Sequence, residues 1–100
     1  MTTEGNGVRV AVVGATGAVG EAMLDILAGR AFPVRELHLL ASARSAGRRL
    51  AWGGVEHGIE DLATFDFSRA DVALFSAGGD VSGEHAPRAA AAGCVVIDNT

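Results

Sequence analysis

This 100-residue chain predicts an α/β fold: a doubly wound parallel sheet with helices on both faces and a small β-ribbon insertion. Three observations carry the prediction. Apolar, β-branched runs alternate with stretches of helical periodicity, the order that produces parallel strands joined by crossover helices. The runs lack polar alternation, so they read as strands buried on both faces. Glycines cluster where the first run passes into the first helix.

The length allows one small domain and not two. About half the residues (49%) are hydrophobic, and the charged ones are dispersed, a globular rather than a disordered profile. The net charge of −4 argues against a general nucleic-acid partner. No apolar run approaches the ~20 residues that span a bilayer, so no membrane segment is expected. Residues 1–7 are polar and lack a basic stretch followed by an apolar one. They read as a disordered lead rather than a signal peptide, with the domain proper at 8–100.

The elements follow in order. Val8 to Val13 is nearly all apolar and forms the first strand. Val19, Met23, Ile26 and Leu27 then recur at helical spacing, with Glu21 and Asp25 on other faces, until Gly29 and Pro33 stop the helix. Leu37 to Ala41, opened near Val34, is the second strand, and Ser42 to Arg49 is a basic loop of small residues. Gly53-Gly54 joins two short strands into the ribbon. Asp61 to Ser68 is irregular or briefly helical. Asp71 to Ser76 is a further buried strand. Asp80 or Ser82 can cap an alanine-rich helix that runs to Ala92 and closes at Gly93. Pro87 sits in its first turn or kinks it. Cys94 to Ile97 is the last strand. The sequence stops at Asn99-Thr100, directly after it, so the sheet is expected to be truncated and part of a longer protein.

The turn Gly14-Ala15-Thr16-Gly17-Ala18-Val19-Gly20 carries the first functional signal. A pyrophosphate needs hydrogen-bond donors and a positive field, and a helix N-terminus supplies both. Glycines at the strand-to-helix turn remove the Cβ atoms that would hold the phosphates away. Gly14 ends the strand, Gly17 admits the phosphates, and Gly20 lets the helix pack on the sheet. The Gly-x-x-Gly-x-x-Gly spacing displaces the middle glycine by one residue from the usual dinucleotide pattern. A buried strand before it and an amphipathic helix after it nonetheless place it in a Rossmann-type context.

Cofactor choice is read at the end of the second strand. An NAD site places a carboxylate there for the ribose hydroxyls. This chain has Ala41-Ser42-Ala43-Arg44-Ser45. An arginine between two hydroxyls suits a 2′-phosphate, which predicts NADP. Ser76, Ala77 and Gly78 follow the third main parallel strand, where small residues would line the cofactor crevice.

Other chemistry-bearing residues read as structural. Cys94 opens an apolar strand and is taken as a small hydrophobe. As the single cysteine it cannot form an internal disulfide, and a cytoplasmic, reducing setting is expected. His38, His57 and His85 lack metal-compatible partners at short spacing and are expected at the surface. Adjacent Glu84 and His85 are expected to face different ways. Trp52 and the phenylalanines are read as core. The chain has no lysine and no tyrosine, which excludes a Schiff-base lysine or a Tyr/Lys pair within it.

Taken together, Gly14–Gly20, Phe32-Pro33-Val34, Leu40–Gly47, Ala73–Gly79 and Val96–Thr100 resemble the N-terminal portion of bacterial aspartate-semialdehyde dehydrogenases. The resemblance implies NADPH-dependent reductive dephosphorylation of aspartyl-4-phosphate to aspartate semialdehyde, a step toward lysine (through diaminopimelate), methionine and threonine. It implies that Thr16, Gly17, Ala18 and Val19 contact the pyrophosphate. It gives Ser42, Arg44 and Ser45 to the 2′-phosphate and Ser76, Ala77 and Gly78 to the crevice. The family's cysteine nucleophile, histidine acid/base and substrate arginines come later than Thr100, and Cys94 does not match the nucleophile position. No catalytic residue is therefore expected in this segment, which alone is predicted inactive. A homo-oligomer formed through the missing domain is expected. Three alternatives stay open: a paralogue without the cysteine, an N-acetyl-glutamyl-phosphate reductase, and an NADP-sensing regulatory domain.

Overall fold

The computed structural model describes residues 7–29 and 33–98. The lead at 1–6, Phe32 of the Phe-Pro-Val motif, and Asn99-Thr100 lie outside the described residues. The elements are β1 (Val8–Val13), α1 (Ala18–Gly29), β2 (Val34–Ala41), β3 (Arg49–Trp52) and β4 (Val55–Asp61). Two 3₁₀ turns follow, Leu62–Thr64 and Phe67–Arg69, and then β5 (Val72–Phe75), α2 (Gly79–Ala91) and β6 (Val95–Asp98). They form a six-stranded sheet in the order β3-β4-β2-β1-β5-β6. Every pairing is parallel except the β3–β4 ribbon. No helix among the described residues is long and apolar enough to cross a membrane.

The doubly wound arrangement follows from β1, whose alternate side chains enter two cores. Val10 and Val12 pack with Leu24 and Leu27 of α1 and with Leu39 and Ile59. Ala11 and Val13 face the opposite side, with Leu40, Phe65, Phe67, Phe75 and Ala89 of α2. Val12, Val13, Leu39, Leu40 and Phe75 are wholly excluded from water. Each such side chain contributes about 1.5–3 kcal/mol of burial. At the far end of the sheet Arg9 grips Asp71: its Nη2 donates to Oδ1 at 2.9 Å and its backbone N–H donates to Oδ2 at 2.9 Å.

The face of α1 departs from the expectation. Gly20, Leu24 and Leu27 point inward, whereas Val19 and Ile26 are 43% and 56% exposed. The cause is Gly20. A Cβ there would lie 2.2 Å from the Gly14 carbonyl oxygen, so only a glycine can face the turn. That requirement sets the helix's rotation, and the residues one and two turns on from Gly20 become the buried face.

Gly53 and Gly54, at φ 62° and 79°, make the two-residue turn that closes the ribbon. Its second strand also lengthens the main sheet, pairing Leu39↔Ile59, Leu40↔Glu60 and Ala41↔Asp61. Trp52 pins the ribbon to α1, its Nε1 donating to the Leu24 carbonyl at 2.8 Å.

In α2 neither Asp80 nor Ser82 caps the helix. Gly78 occupies the N-cap with no side-chain bond. The Ser82 hydroxyl instead donates to the Asp98 carboxylate on β6, because the buried face of α2 brings Ser82 against that strand. Pro87 falls in the helix interior rather than its first turn. The carbonyl left without its usual donor belongs to Gly83. Gly93, at φ 97°, ends the helix as expected.

Candidate functional site

The chain steps from β1 to β2 on one side and returns to β1 on the other with β5. That reversal is the switch point where open α/β sheets bind ligands, at the carboxyl ends of the strands. A cavity of about 560 Å³ opens there. Gly14, Thr16 and Gly17 form its floor, and Ala41–Ala43 and Asp61–Ala63 follow β2 and β4 along it. Ser76, Ala77, Val81 and His85 close the β5 and α2 side.

The three glycines of the turn have different physical reasons. Gly14 has φ 87°, and a Cβ on it would lie 2.8 Å from the Ala77 Cβ. It lets the ends of β1 and β5 touch. Its N–H donates to the Leu40 carbonyl at 2.9 Å, tying the turn to β2. Gly20 is required by helix packing, as shown above. Gly17 has neither reason: a Cβ there would meet only the Gly14 oxygen, at an ordinary 3.5 Å. Yet Gly17 starts the helix, its carbonyl accepting from Glu21 N–H at 3.0 Å. The amides of Ala18, Val19 and Gly20 precede the helical ladder and have no helical acceptor. A strand-to-helix turn with a bare glycine beneath these amides has the donor chemistry and the clearance that a pyrophosphate needs.

Of the residues expected from sequence, Gly14, Thr16, Gly17, Ser42, Ser76 and Ala77 line the cavity. Ala18, Val19 and Gly20 lie in the first turn of α1, next to its floor. Arg44 and Ser45 sit in the turn after β2, where the Ser42 carbonyl accepts from Ser45 N–H at 2.9 Å and Ala46 N–H at 3.1 Å. Arg44 is exposed and has no ion-pair partner among the described residues. Gly47 N–H then donates to the Ile59 carbonyl at 2.8 Å, which anchors the loop to β4. Ser76 spends its hydroxyl on the Val13 carbonyl at 2.8 Å, so its first role is to lock β5 to β1. Gly78 is the N-cap of α2 and does not line the cavity.

Sequence reasoning missed Asp61, Leu62, Ala63, Val81 and His85. His85 is buried rather than at the surface. Arg88 reaches inward over the Phe67 ring. Its Nη1 donates to His85 Nδ1 at 2.6 Å and its Nη2 to the Phe65 carbonyl at 2.8 Å. Since Nδ1 accepts, the ring proton sits on Nε2, 3.6 Å from Glu84 Oε2. Adjacent Glu84 and His85, expected to face different ways, therefore do approach each other. His38 is also largely covered, held between Glu36 and Glu60 and tilted on Phe65. Cys94 is buried, donating to the carbonyls of Phe67 and Ala70 at 3.2 Å, and burial pushes its thiol up. That is the behaviour of a packed hydrophobe. No group of residues able to hold a metal occurs among the described residues.

Comparison with known proteins agrees with this geometry. A family model described as semialdehyde dehydrogenase, NAD binding domain, matches residues 9–100. The chain is 59% identical over 92 residues to an aspartate-semialdehyde dehydrogenase of Legionella pneumophila, covering 92% of this chain and 26% of that protein. It is 53% identical over 90 residues to the USG-1 protein homolog of Pseudomonas aeruginosa, covering 90% of this chain and 27% of that protein. The solved aspartate semialdehyde dehydrogenase II of Vibrio cholerae superposes with a TM-score of 0.92 at 53% identity, over 94% of this chain and 31% of that one. This chain thus spans about a quarter to a third of the relatives it matches. With 92 of its residues matched, the chain belongs to the semialdehyde dehydrogenase family, as its NAD binding domain.

Proposed function

We propose that this chain is the cofactor-holding portion of a longer, NADPH-dependent aspartate-semialdehyde dehydrogenase. The observation that carries the reading is Gly17: it is bare without a steric reason, at the floor of a cavity on the switch point. The pyrophosphate would sit on Gly17 and the first-turn amides of Ala18, Val19 and Gly20, with Gly14 and Thr16 beside it. Ser42, Arg44 and Ser45 would hold the 2′-phosphate, and Ser76, Ala77 and Gly78 would border the path to the nicotinamide. When bound, NADPH supplies the hydride that reduces an acyl group derived from aspartyl-4-phosphate, with release of phosphate. The residues of this chain bind and orient the cofactor. The reacting groups, and the surfaces of a homo-oligomer, would belong to later parts of a cytoplasmic protein.

Arg44 supports NADP over NAD. It is a cation without an ion-pair partner among the described residues, beside two hydroxyls, where an NAD site would carry a carboxylate. In the full-length protein, Arg44→Glu is expected to weaken NADP binding at least tenfold while leaving NAD binding nearly unchanged. Loss of a charge-assisted pair is of that order. Calorimetric titration of both cofactors checks it, and an unchanged NADP-to-NAD ratio would remove Arg44 from the site. The likeness to the USG-1 protein homolog, a relative named for no reaction, favours a second reading: a paralogue that binds dinucleotide without turnover. NADP-dependent, phosphate-requiring oxidation of aspartate semialdehyde by the full-length protein separates the two.

A further inference from the structure

At the outer end of the cavity stands a carboxylate whose charge the fold does not use. Asp61 closes β4, one strand beyond Ala41 and level with it. It lines the cavity together with Leu62 and Ala63. Its Oδ1 accepts the Ala63 N–H at 2.9 Å and so caps the first 3₁₀ turn. That role needs one oxygen and no charge, since asparagine caps as well as aspartate. Oδ2 has no hydrogen-bond partner among the described residues, and Asp61 has no cationic partner there.

The inference deepens the dinucleotide reading and rests on it. The carboxyl ends of β4, β2, β1 and β5 stand in a row, about 4.8 Å apart, so roughly 14 Å separates Asp61 from the Ser76 end. A pyrophosphate on Gly17 and a 2′-phosphate at Ser42–Ser45 fix the ligand's direction, with the adenosine half toward β2 and β4. The base would then lie against apolar Leu62 and Ala63, with Asp61 at its edge. A carboxylate can only accept hydrogen bonds. The adenine edge offers one strong donor pair, the exocyclic amine.

We propose that Asp61 selects adenine in the cofactor by accepting a hydrogen bond from its exocyclic amino group, and so rejects 6-oxopurines. In hypoxanthine a carbonyl oxygen replaces the amine, and two acceptors face each other.

The test compares NADP with its hypoxanthine analogue by calorimetric titration of the full-length protein. Wild type is expected to bind NADP roughly ten- to a hundredfold more tightly, the span of one charge-assisted hydrogen bond. In Asp61→Asn the amide oxygen stays on the Ala63 N–H and the amide NH₂ turns to the base. That variant is expected to lose the preference or to favour the analogue. Asp66→Asn is the matched control. Asp66 caps the second 3₁₀ turn in the same way, accepting from Ser68 N–H at 3.0 Å, but does not line the cavity. Its preference is expected to match wild type. Equal binding of both cofactors by wild type, or an unchanged preference in Asp61→Asn, overturns the proposal. So does a change confined to the NADP-to-NAD ratio, which would assign the carboxylate to the ribose. Failure of wild type to bind either cofactor overturns the dinucleotide reading itself and this proposal with it.

Discussion

Placing one methyl group at Gly17 and at Gly20 in turn separates the ligand's demands on the glycine turn from those of the fold. At Gly20 the new Cβ falls 2.2 Å from the Gly14 oxygen and 2.9 Å from the Ala15 Cα. Both neighbours are backbone, held in place by the Leu40 carbonyl through bonds of 2.9 and 3.3 Å. Replacing a helical glycine by alanine gains about 1 kcal/mol of propensity. Overpacking of this severity costs about 3 kcal/mol or more, so Gly20→Ala is expected to destabilise by about 2 kcal/mol or more. At Gly17 the new Cβ meets only one atom, at 3.5 Å. Alanine is a poorer N-cap than glycine by about 0.5–1 kcal/mol. It recovers about 0.4–1 kcal/mol by restricting the unfolded chain. Stability should therefore stay within about 0.5 kcal/mol of wild type. On the proposed reading the same methyl would stand in the approach of the pyrophosphate, and about 1–3 kcal/mol of overpacking there would weaken binding roughly 5- to 150-fold. Urea midpoints and NADP titrations of the full-length protein give both quantities. Wild-type NADP affinity in Gly17→Ala would refute the assignment of that glycine to the ligand. A loss of stability equal to that of Gly20→Ala would refute the steric reading of the turn.

Two further predictions concern what holds the site's frame. Trp52→Phe keeps a ring over α1 but removes the bond to the Leu24 carbonyl. It is expected to cost about 1 kcal/mol, read as a lower urea midpoint. The second is a pH dependence. The Arg9 side chain and backbone N–H hold the Asp71 carboxyl below its ordinary value. A depressed carboxyl contributes stability above its unfolded value, about pH 4, and the contribution is lost as pH falls through the lower native value. Thermal midpoints of wild type and Asp71→Asn should therefore differ most above pH 5 and converge in acid. A constant gap down to pH 2 would show that Asp71 acts by packing and not by charge.

Much of the fold was legible because it is written in local pattern. The runs at Val8–Val13 and Val72–Phe75 are too apolar for a one-sided strand, and Gly53-Gly54 can hardly be anything but a tight turn. The rotation of α1 was not legible from its own hydrophobic spacing. Val19, Met23, Ile26 and Leu27 make an acceptable apolar stripe, of which Leu27 is buried and Met23 partly so; amphipathicity alone cannot put Gly20 and Leu24 in the place of Val19 and Ile26. What does so is a backbone-to-backbone approach between Gly20 and Gly14, visible only once the turn is folded. The capping of α2 failed for a related reason. Ser82 is a good cap by type, but its hydroxyl meets Asp98, a residue sixteen positions away on β6.

The same distinction divides the site. The glycine turn and the Ser42–Ser45 loop each lie within one short segment, so residue type and spacing could announce them. Asp61, Leu62 and Ala63 reach the cavity only because β4 pairs beside β2. Nothing local to the ribbon says on which strand it will dock; the parallel pairing of Leu39, Leu40 and Ala41 with Ile59, Glu60 and Asp61 makes that choice in the folded sheet. The proposed reading implies a division of labour along the sheet. Phosphate recognition would sit on local motifs near the centre strand, where backbone amides would do the binding. Base recognition would fall to β4, the outermost parallel strand on the β2 side, where a side chain can vary without disturbing the turn. If Asp61 reads the base, relatives with a different residue at the end of this strand should differ in purine preference while keeping the same affinity for the pyrophosphate.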